Sequence, residues 1–404
     1  MWKELHNKEL PEQLLNKKPD FLCLMLFPTM SCDCRCKMCN FWGDRGYYSR
    51  GAQDGGKKQL DFKSIKKLLE ESLKEKNRYF VTLGGGEPLL YKNFKQLAQF
   101  LNGKKLPFIV MTNGSQLKKH LDTIEQNVTA LSVSIDGPPE VHDSIRGRKR
   151  IFNDALEGIE ALLRIKIKKK KSMPFIFINC TLTEHSVGHL HDFIAAIKSR
   201  LEPIGAKLRL EEPKTLSSRE VTIHFEPLLF TTETLGKKYA DEMKSLFDCD
   251  VTDSWKPFAV DDINIDIEKL KKDLLHIYND FRVNSSEFID LREYFLNIHN
   301  VFGYTRCRSP FHTMIVNEDG EAYFCPSLLD YSLGNISESS FHDLWHGLKA
   351  ERFRKEIRKR NLSICNRCCF LFADYSYIRR LFFFDSIFAK LYYWIVNHIP
   401  ALPV

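Results

Sequence analysis

Between positions 32 and 39 the chain reads Cys32-Asp33-Cys34-Arg35-Cys36-Lys37-Met38-Cys39, four thiols in eight residues. Taken as Cys32, Cys36 and Cys39, the spacing is C-x3-C-x2-C. Thiolates are the ligands of iron–sulfur clusters, and so short a loop can wrap a cubane and reach three of its corners. Three protein ligands leave one iron open, and an open coordination position separates a catalytic metal site from a structural one. Zinc competes for the same residues, because a structural zinc site needs four ligands and Cys34 is at hand as the fourth. Crowding in the loop favours Cys34 as a bystander.

A second set lies far along the chain: Cys307, Cys325, Cys365 and Cys368, separated by 17, 39 and 2 residues. Spacing alone suits zinc and an iron–sulfur cluster equally. Cys369 can stand in for its neighbour, and Cys368 is preferred. Cys23, Cys180 and Cys249 read as ordinary thiols, with Cys180 expected to face inward from its strand. Met1 to Lys18 is polar and charged, with no signal peptide. Twelve cysteines in a chain of 404 residues without export therefore point to metal in a reducing compartment, not to disulfides.

These residues are positioned by an α/β pattern. Strands are expected at Leu22–Phe27, Tyr79–Leu83, Phe108–Thr112, Ala130–Ile135, Phe175–Leu182 and Val221–Phe225. Helices are expected between them at Asp61–Lys74, Phe94–Asn102, Gln116–Ile124, Ile151–Arg164 and Val187–Ile197, with apolar residues such as Ile65, Leu68 and Leu69 at helical spacing. Such alternation implies parallel strands with right-handed crossovers, in an open sheet or a partial barrel. Two polar helices, Thr232–Phe247 and Ile267–Val283, follow. A hairpin of Thr313–Asn317 and Glu321–Cys325 turns at Gly320 and brings Cys307 and Cys325 together. Ser340 caps a helix with an apolar face of Phe341, Leu344, Trp345 and Leu348.

The strand ends carry further chemistry. Leu83-Gly84-Gly85-Gly86-Glu87-Pro88 ends the second strand, with glycines that allow close backbone approach and a carboxylate beside them. Asn113 ends the third. Leu131 to Gly147 reads LSVSIDGPPEVHDSIRG and supplies Ser134, Asp136 and Arg146 beyond the fourth strand, where parallel α/β domains bind ligands.

In this ordered set the sequence resembles the radical S-adenosylmethionine (SAM) superfamily over roughly residues 21–230. The resemblance implies a partial (β/α)6 barrel and a [4Fe–4S] cluster on Cys32, Cys36 and Cys39 whose open iron is chelated by the methionine part of SAM. It also implies that Gly85, Gly86 and Glu87 contact the SAM amino group. Asn113 and Ser134 would lie near the ribose or methionine, and Arg146 would meet the carboxylate. Met38 stands where the family usually has an aromatic residue near the adenine; a thioether can pack on a ring face. Cys307, Cys325, Cys365 and Cys368, with Gly320, Gly334-Asn335-Ile336 and Leu344-Trp345, resemble the SPASM/twitch extension in a shortened form holding one auxiliary [4Fe–4S] cluster. The expected organisation is an N-terminal extension (1–20), a radical SAM core (21–230), a helical connector (231–303), a small β-hairpin/helix auxiliary-cluster domain (304–370) and an aromatic-rich amphipathic tail (371–404).

Reductive cleavage of SAM would then give a 5′-deoxyadenosyl radical. That radical would abstract hydrogen from an unidentified substrate, with net oxidation through the auxiliary cluster. The alternatives are a peptide- or protein-modifying maturase and, in another class, an iron–sulfur or zinc scaffold without SAM chemistry. About 20 residues before the first strand are few for a peptide-binding leader domain, which lowers the maturase reading. Glu226 and His224, at the end of the last strand, are candidates for a general base. An electron donor such as flavodoxin or ferredoxin is implied as partner.

Net charge is +8, with a dense run from Lys166 to Lys171 read as a solvated helix-to-strand loop. No aromatics interleave it, so no nucleic-acid partner is expected. The chain is expected in the cytoplasm. Its tail has too short a charge-free stretch to span a bilayer, but suits peripheral contact with the inner membrane face or packing on the barrel.

Overall fold

The computed structural model describes residues 19, 21–49, 56–75, 79–210, 217–251, 253–260, 263–281, 294–295, 307–325 and 329–368. The proposed membrane-contacting tail and Cys369 lie outside them. Among the described residues, no helix is long and apolar enough to cross a membrane.

Alternation along short β-branched runs decides the architecture. Strands β1 (Cys23–Leu26), β2 (Phe80–Leu83), β3 (Phe108–Thr112), β4 (Ala130–Ser134), β5 (Phe175–Leu182), β6 (Lys207–Arg209) and β7 (Glu220–Pro227) pair in parallel. With three C-terminal strands, β8 (Thr313–Val316), β9 (Glu321–Tyr323) and β10 (Gly334–Asn335), the order across the whole sheet is β10-β9-β8-β1-β2-β3-β4-β5-β7-β6. One side chain in two faces the crossover helices. Leu24, Leu26, Val81, Leu83, Val110, Leu131, Val133, Ile176, Ile178, Val221 and Ile223 join Ile65, Leu68, Leu97 and Ile159 of those helices in one core. The other parity faces the concave side. There Cys23, Met25 and Phe27 pack with Ile315, and Ile109, Ala130, Phe175 and Phe177 pack with Phe80. This is the partial (β/α)6 barrel expected of the sequence, its floor closed by aromatic side chains.

Cys180 shares its parity with Ile178 and Leu182 and is fully buried on the helix side. The expectation that it faces the barrel interior is therefore wrong. Asn179 and Thr181 hold the inward positions.

The expected hairpin is present as β8 (Thr313–Val316) and β9 (Glu321–Tyr323), with Gly320 at φ +84°. Its first strand also pairs in parallel with β1, extending the barrel sheet. A two-residue β10 (Gly334–Asn335) completes that edge. Ser340 caps the helix Phe341–His346 through Asp343 N–H, and Thr232 caps Glu233–Phe247 through Leu235 N–H.

Two further expectations change. Within the polar stretch after β4, Pro139–Arg146 forms a helix ended by left-handed Gly147 (φ +61°). The lysine run is not a solvated loop, because the helix that begins at Ile151 continues to Lys169. Lys166 is fully buried, its Nζ donating to Pro174 O at 2.5 Å, while Lys169 and Lys171 pair with Glu125 at 2.8 and 2.6 Å.

Burial pushes the Lys166 ammonium down to about 8, opposed by Glu220. The unfolded chain then holds this proton up to its ordinary value and the folded chain does not. Stability should rise as pH climbs from about 8 to about 10.5. Lys166→Met should raise stability at pH 7 by about 1–2 kcal/mol, since relief from desolvation exceeds the lost hydrogen bond. Thermal melts across pH 7–10.5 test this; an equally steep pH rise in the variant would sink it.

Candidate functional site

The cysteine loop leaves β1 and crosses the C-terminal end of the barrel. Cys32, Cys34, Cys36, Met38 and Cys39 pack together with Ile151. Cys34 is 1% exposed and packs in the same cluster as Cys32, Cys36 and Cys39. Arg35 fastens the loop by donating to Cys32 O and Cys34 O at 2.9 and 2.8 Å while stacking on Trp42, 4.2 Å from the ring centroid. Trp42 N–H points at Cys39 Sγ (3.3 Å), and its indole N–H donates to Met30 O (2.7 Å).

Arg146 is the cation of this loop. Its Nη1 lies 3.6 Å from Cys36 Sγ and its Nε 2.6 Å from Asp136 Oδ2. The neighbouring Cys34 thiol and then Arg146, working against burial, lower the Cys36 thiol. Arg146 thus favours the thiolate form, which a metal ligand requires. Burial, reinforced by Cys36, pushes Cys39 up to about 11. A cation beside three clustered thiols, Cys36 buried and Cys32 and Cys39 half-buried, fits a cluster whose ligands must all be thiolates.

Asp136 Oδ1 accepts from Thr181 N–H (3.0 Å), and Asp136 N–H donates to His142 Nδ1 (2.9 Å). Burial and Arg146 hold His142 well below its ordinary value, so the ring stays neutral with its proton on Nε2. Arg146 is therefore engaged by Asp136 and Cys36 in this structure.

The glycines after β2 meet the protein's own chain. A Cβ on Gly86 would lie 2.4 Å from Met30 O and Ser31 O, and one on Gly85, at φ +105°, 2.7 Å from Thr29 O. They let the β2 loop lie against the cysteine loop. Glu87 is fully buried; its Oε1 accepts from Leu89 N–H (3.0 Å) and Thr112 Oγ (2.7 Å), and its Oε2 from Asn113 N–H (2.7 Å). Burial outweighs these donors and raises its carboxyl to about 7. Asn113 Nδ2, in turn, sits 3.9 Å from Cys32 Sγ and donates to Asp33 Oδ1 (2.9 Å). Ser134 is half-buried on the concave face, in register with Asn179.

Asp33 was not among the expected site residues. It also accepts from Ser115 (2.8 Å), Gln116 (3.2 Å) and Arg148. Burial opposes its ionisation, but Asn113, Ser115, Arg148 and Gln116 together hold the carboxyl below its usual range. This carboxylate ties the cysteine loop to the ends of β3 and of the helix after β4. Tyr48, stacked on Trp42 at 5.2 Å between centroids, bonds to Glu318 at the tip of the β8–β9 hairpin. The loop is thereby closed against the C-terminal region. Neither contact has a local sequence signal.

Farther round the concave face, Phe177 packs against His224 at 5.5 Å between ring centroids. Asn179 Nδ2 donates to Glu226 Oε1 at 3.4 Å. Glu226 is open to solvent inside the concavity, yet the enclosing walls, and then Asp136, raise its carboxyl above the ordinary range.

Cys307, Cys325, Cys365 and Cys368 all line one mainly apolar cavity with Tyr239, Phe324, Phe353 and Leu362. Burial, then the adjacent Cys368 and Cys325, push Cys365 well up. Four converging thiols in an apolar shell fit a cluster with no open corner. Tyr239 donates to Asp330 Oδ2 (2.8 Å), which also accepts from Ser254 (2.6 Å). Arg354, wholly buried, lies between Phe324 and Trp345, 4.7 and 4.3 Å from their centroids.

A family model of the radical SAM superfamily matches residues 26–194, and one of an iron–sulfur cluster-binding SPASM domain matches residues 307–369. The chain therefore carries a radical SAM domain followed by a SPASM domain. SAM and a [4Fe–4S] cluster are the cofactors such a core implies, and an auxiliary iron–sulfur cluster is what the SPASM domain implies. Fe-coproporphyrin III synthase of Methanosarcina barkeri is 28% identical over 187 residues, 42% of this chain and 44% of the relative. Mycofactocin maturase MftC of Mycobacterium ulcerans is 27% identical over 192 residues, 47% of this chain and 46% of the relative. The chain thus spans less than half the length of these curated relatives. Streptococcus suis SuiB, solved with its precursor peptide SuiA, shares the fold at a TM-score of 0.57 and 13% identity, over 90% of this chain and 74% of SuiB.

Proposed function

We propose that this chain is an oxidoreductase that reductively cleaves SAM and abstracts hydrogen from its substrate, with the second electron leaving through an auxiliary cluster. The observation that carries the reading is the pairing of two thiol sets: three cysteines beside Arg146 at the barrel mouth, and four around one apolar cavity. In this reading Cys32, Cys36 and Cys39 hold the first cluster, and Cys307, Cys325, Cys365 and Cys368 the second. Once bound, the first cluster supplies the electron and one open iron for SAM, whose cleavage gives the hydrogen-abstracting 5′-deoxyadenosyl radical.

The chain's own residues do the rest. Arg146 offsets thiolate charge, and Asp33 with Asn113 fixes the loop. Gly85, Gly86 and Glu87 shape the wall against which SAM's amino group would rest, with Asn113 and Ser134 beside its ribose or methionine. The Phe80, Phe175 and Phe177 floor excludes water from a radical. Glu226, Asn179 and His224 offer hydrogen bonds to a substrate on the same face. An electron donor of the flavodoxin or ferredoxin kind is the partner this requires. The relatives named as maturases and the likeness to SuiB favour a peptide as substrate, which makes a peptide maturase the second reading. Peripheral membrane contact through the tail, at the inner membrane face, remains part of the proposal.

Anaerobically reconstituted protein given SAM and a low-potential reductant should release 5′-deoxyadenosine and methionine in equal amounts, read by mass spectrometry. Iron-loaded protein that releases neither would refute the reading and leave a cluster scaffold.

A further inference from the structure

The helix Phe341–His346 turns two imidazoles outward, one turn apart, beside the C-terminal end of the helix Phe62–Lys74. His342 Nδ1 lies 3.1 Å from Glu75 Oε1, and His346 Nε2 lies 3.4 Å from Glu75 Oε2. Ligand atoms of the three residues all fall within 4.8 Å of one another. In a tetrahedral site with metal–ligand distances of about 2.1 Å, neighbouring ligand atoms stand about 3.4 Å apart. The separations of His342 and His346 from Glu75 are close to that value.

Both supporting helices are held in place by contacts that do not use these side chains. Phe341, Leu344 and Trp345 are buried beneath the short helix, with Phe21 packed edge-on to Phe341 and Trp345 at 4.9 and 4.8 Å between centroids. Phe341 N–H donates to Glu71 Oε2 (2.9 Å), and Lys67 Nζ donates to Ser339 O (3.3 Å). The ligands are thus preorganised on rigid elements, which is what a metal site needs. The side chains remain 69%, 39% and 27% exposed for His342, His346 and Glu75, so an ion can enter and water can complete its coordination.

We propose that Glu75, His342 and His346 form a binding site for a borderline divalent cation, Zn2+ being the best match to two imidazoles and one carboxylate. The ion would clip the first crossover helix of the radical SAM core to the C-terminal iron–sulfur region. It is chemically separate from both thiol sets, and the proposal does not depend on the reaction assigned to them.

The test uses the full chain with its clusters reconstituted, so that the thiols are occupied. Titration with Zn2+ should show one equivalent bound, weakened at least tenfold in His342→Ala/His346→Ala, with iron content unchanged. Zn2+ should also raise the melting temperature of the wild type and not of the variant. With 113Cd2+ as probe, the resonance should fall in the nitrogen–oxygen range. Identical isotherms for the two proteins, or a resonance in the thiolate range, would overturn the site. If the alanine variant loses iron, Glu75→Gln with both histidines kept gives the same comparison.

Discussion

Replacing Cys32, Cys36 and Cys39 together by alanine will remove about half of the iron from the reconstituted protein and abolish SAM cleavage. Two [4Fe–4S] clusters amount to about eight irons per chain, and the thiols of the C-terminal cavity lie in a different part of the fold. The remaining iron should keep the optical and paramagnetic signature of a cluster with four protein ligands, indifferent to SAM. Cys34 sharpens the experiment, because its buried thiol packs against Cys32 and Cys36. Cys34→Ala should retain the full iron content if Cys34 only packs beside the ligands. Loss of the first cluster in Cys34→Ala would make it a ligand, and stoichiometric zinc with iron near zero in the wild type would defeat the cluster reading at both sites.

The parts of this molecule that the sequence displays are those whose meaning is local. Strand runs such as Phe108–Thr112 and Phe175–Leu182 announce themselves as short apolar runs rich in β-branched and aromatic residues. The thiol spacings announce themselves because the ligands sit on one loop. What was illegible depends on partners distant in the chain. Asp33 reads as a spacer between cysteines, and gains its role only when Asn113, Ser115, Gln116 and Arg148 arrive from other elements. The helix Pro139–Arg146 hides in a polar stretch because just two of its residues, His142 and Ile145, are buried. Lys166 looks like one charge in a solvated run, yet its position on the inward stripe of a long helix buries it. Cys180 is legible by strand parity. Its parity with Ile176, Ile178 and Leu182 places it under the helices, and the polar Asn179 and Thr181 mark the opposite face.

Glu87→Ala is expected to lower stability by about 3–5 kcal/mol and to weaken SAM binding at least tenfold, while iron at the C-terminal site is kept. The three groups that lean on this carboxylate are all donors: Leu89 N–H, Asn113 N–H and the Thr112 hydroxyl. The site is fully buried, so water cannot replace the lost acceptor. A buried donor left unsatisfied costs about 1–3 kcal/mol. Glu87→Gln should lie between, since one oxygen can still serve Leu89 and Thr112, but its amide would turn a donor toward the Asn113 N–H. The effect on SAM follows through Asn113, whose side chain holds Asp33 and stands beside Cys32. Once the backbone at Asn113 is released, the cysteine loop loses its tie to β3. Measurements belong at pH 8, above the value of about 7 to which burial raises this carboxyl, where it is ionised and accepts all three bonds. Denaturant melts give the stability, and the SAM-induced change in the cluster's paramagnetic resonance gives the binding. Wild-type stability with SAM binding lost would instead mean that Glu87 turns outward to meet SAM directly, and wild-type values of both would remove it from the site.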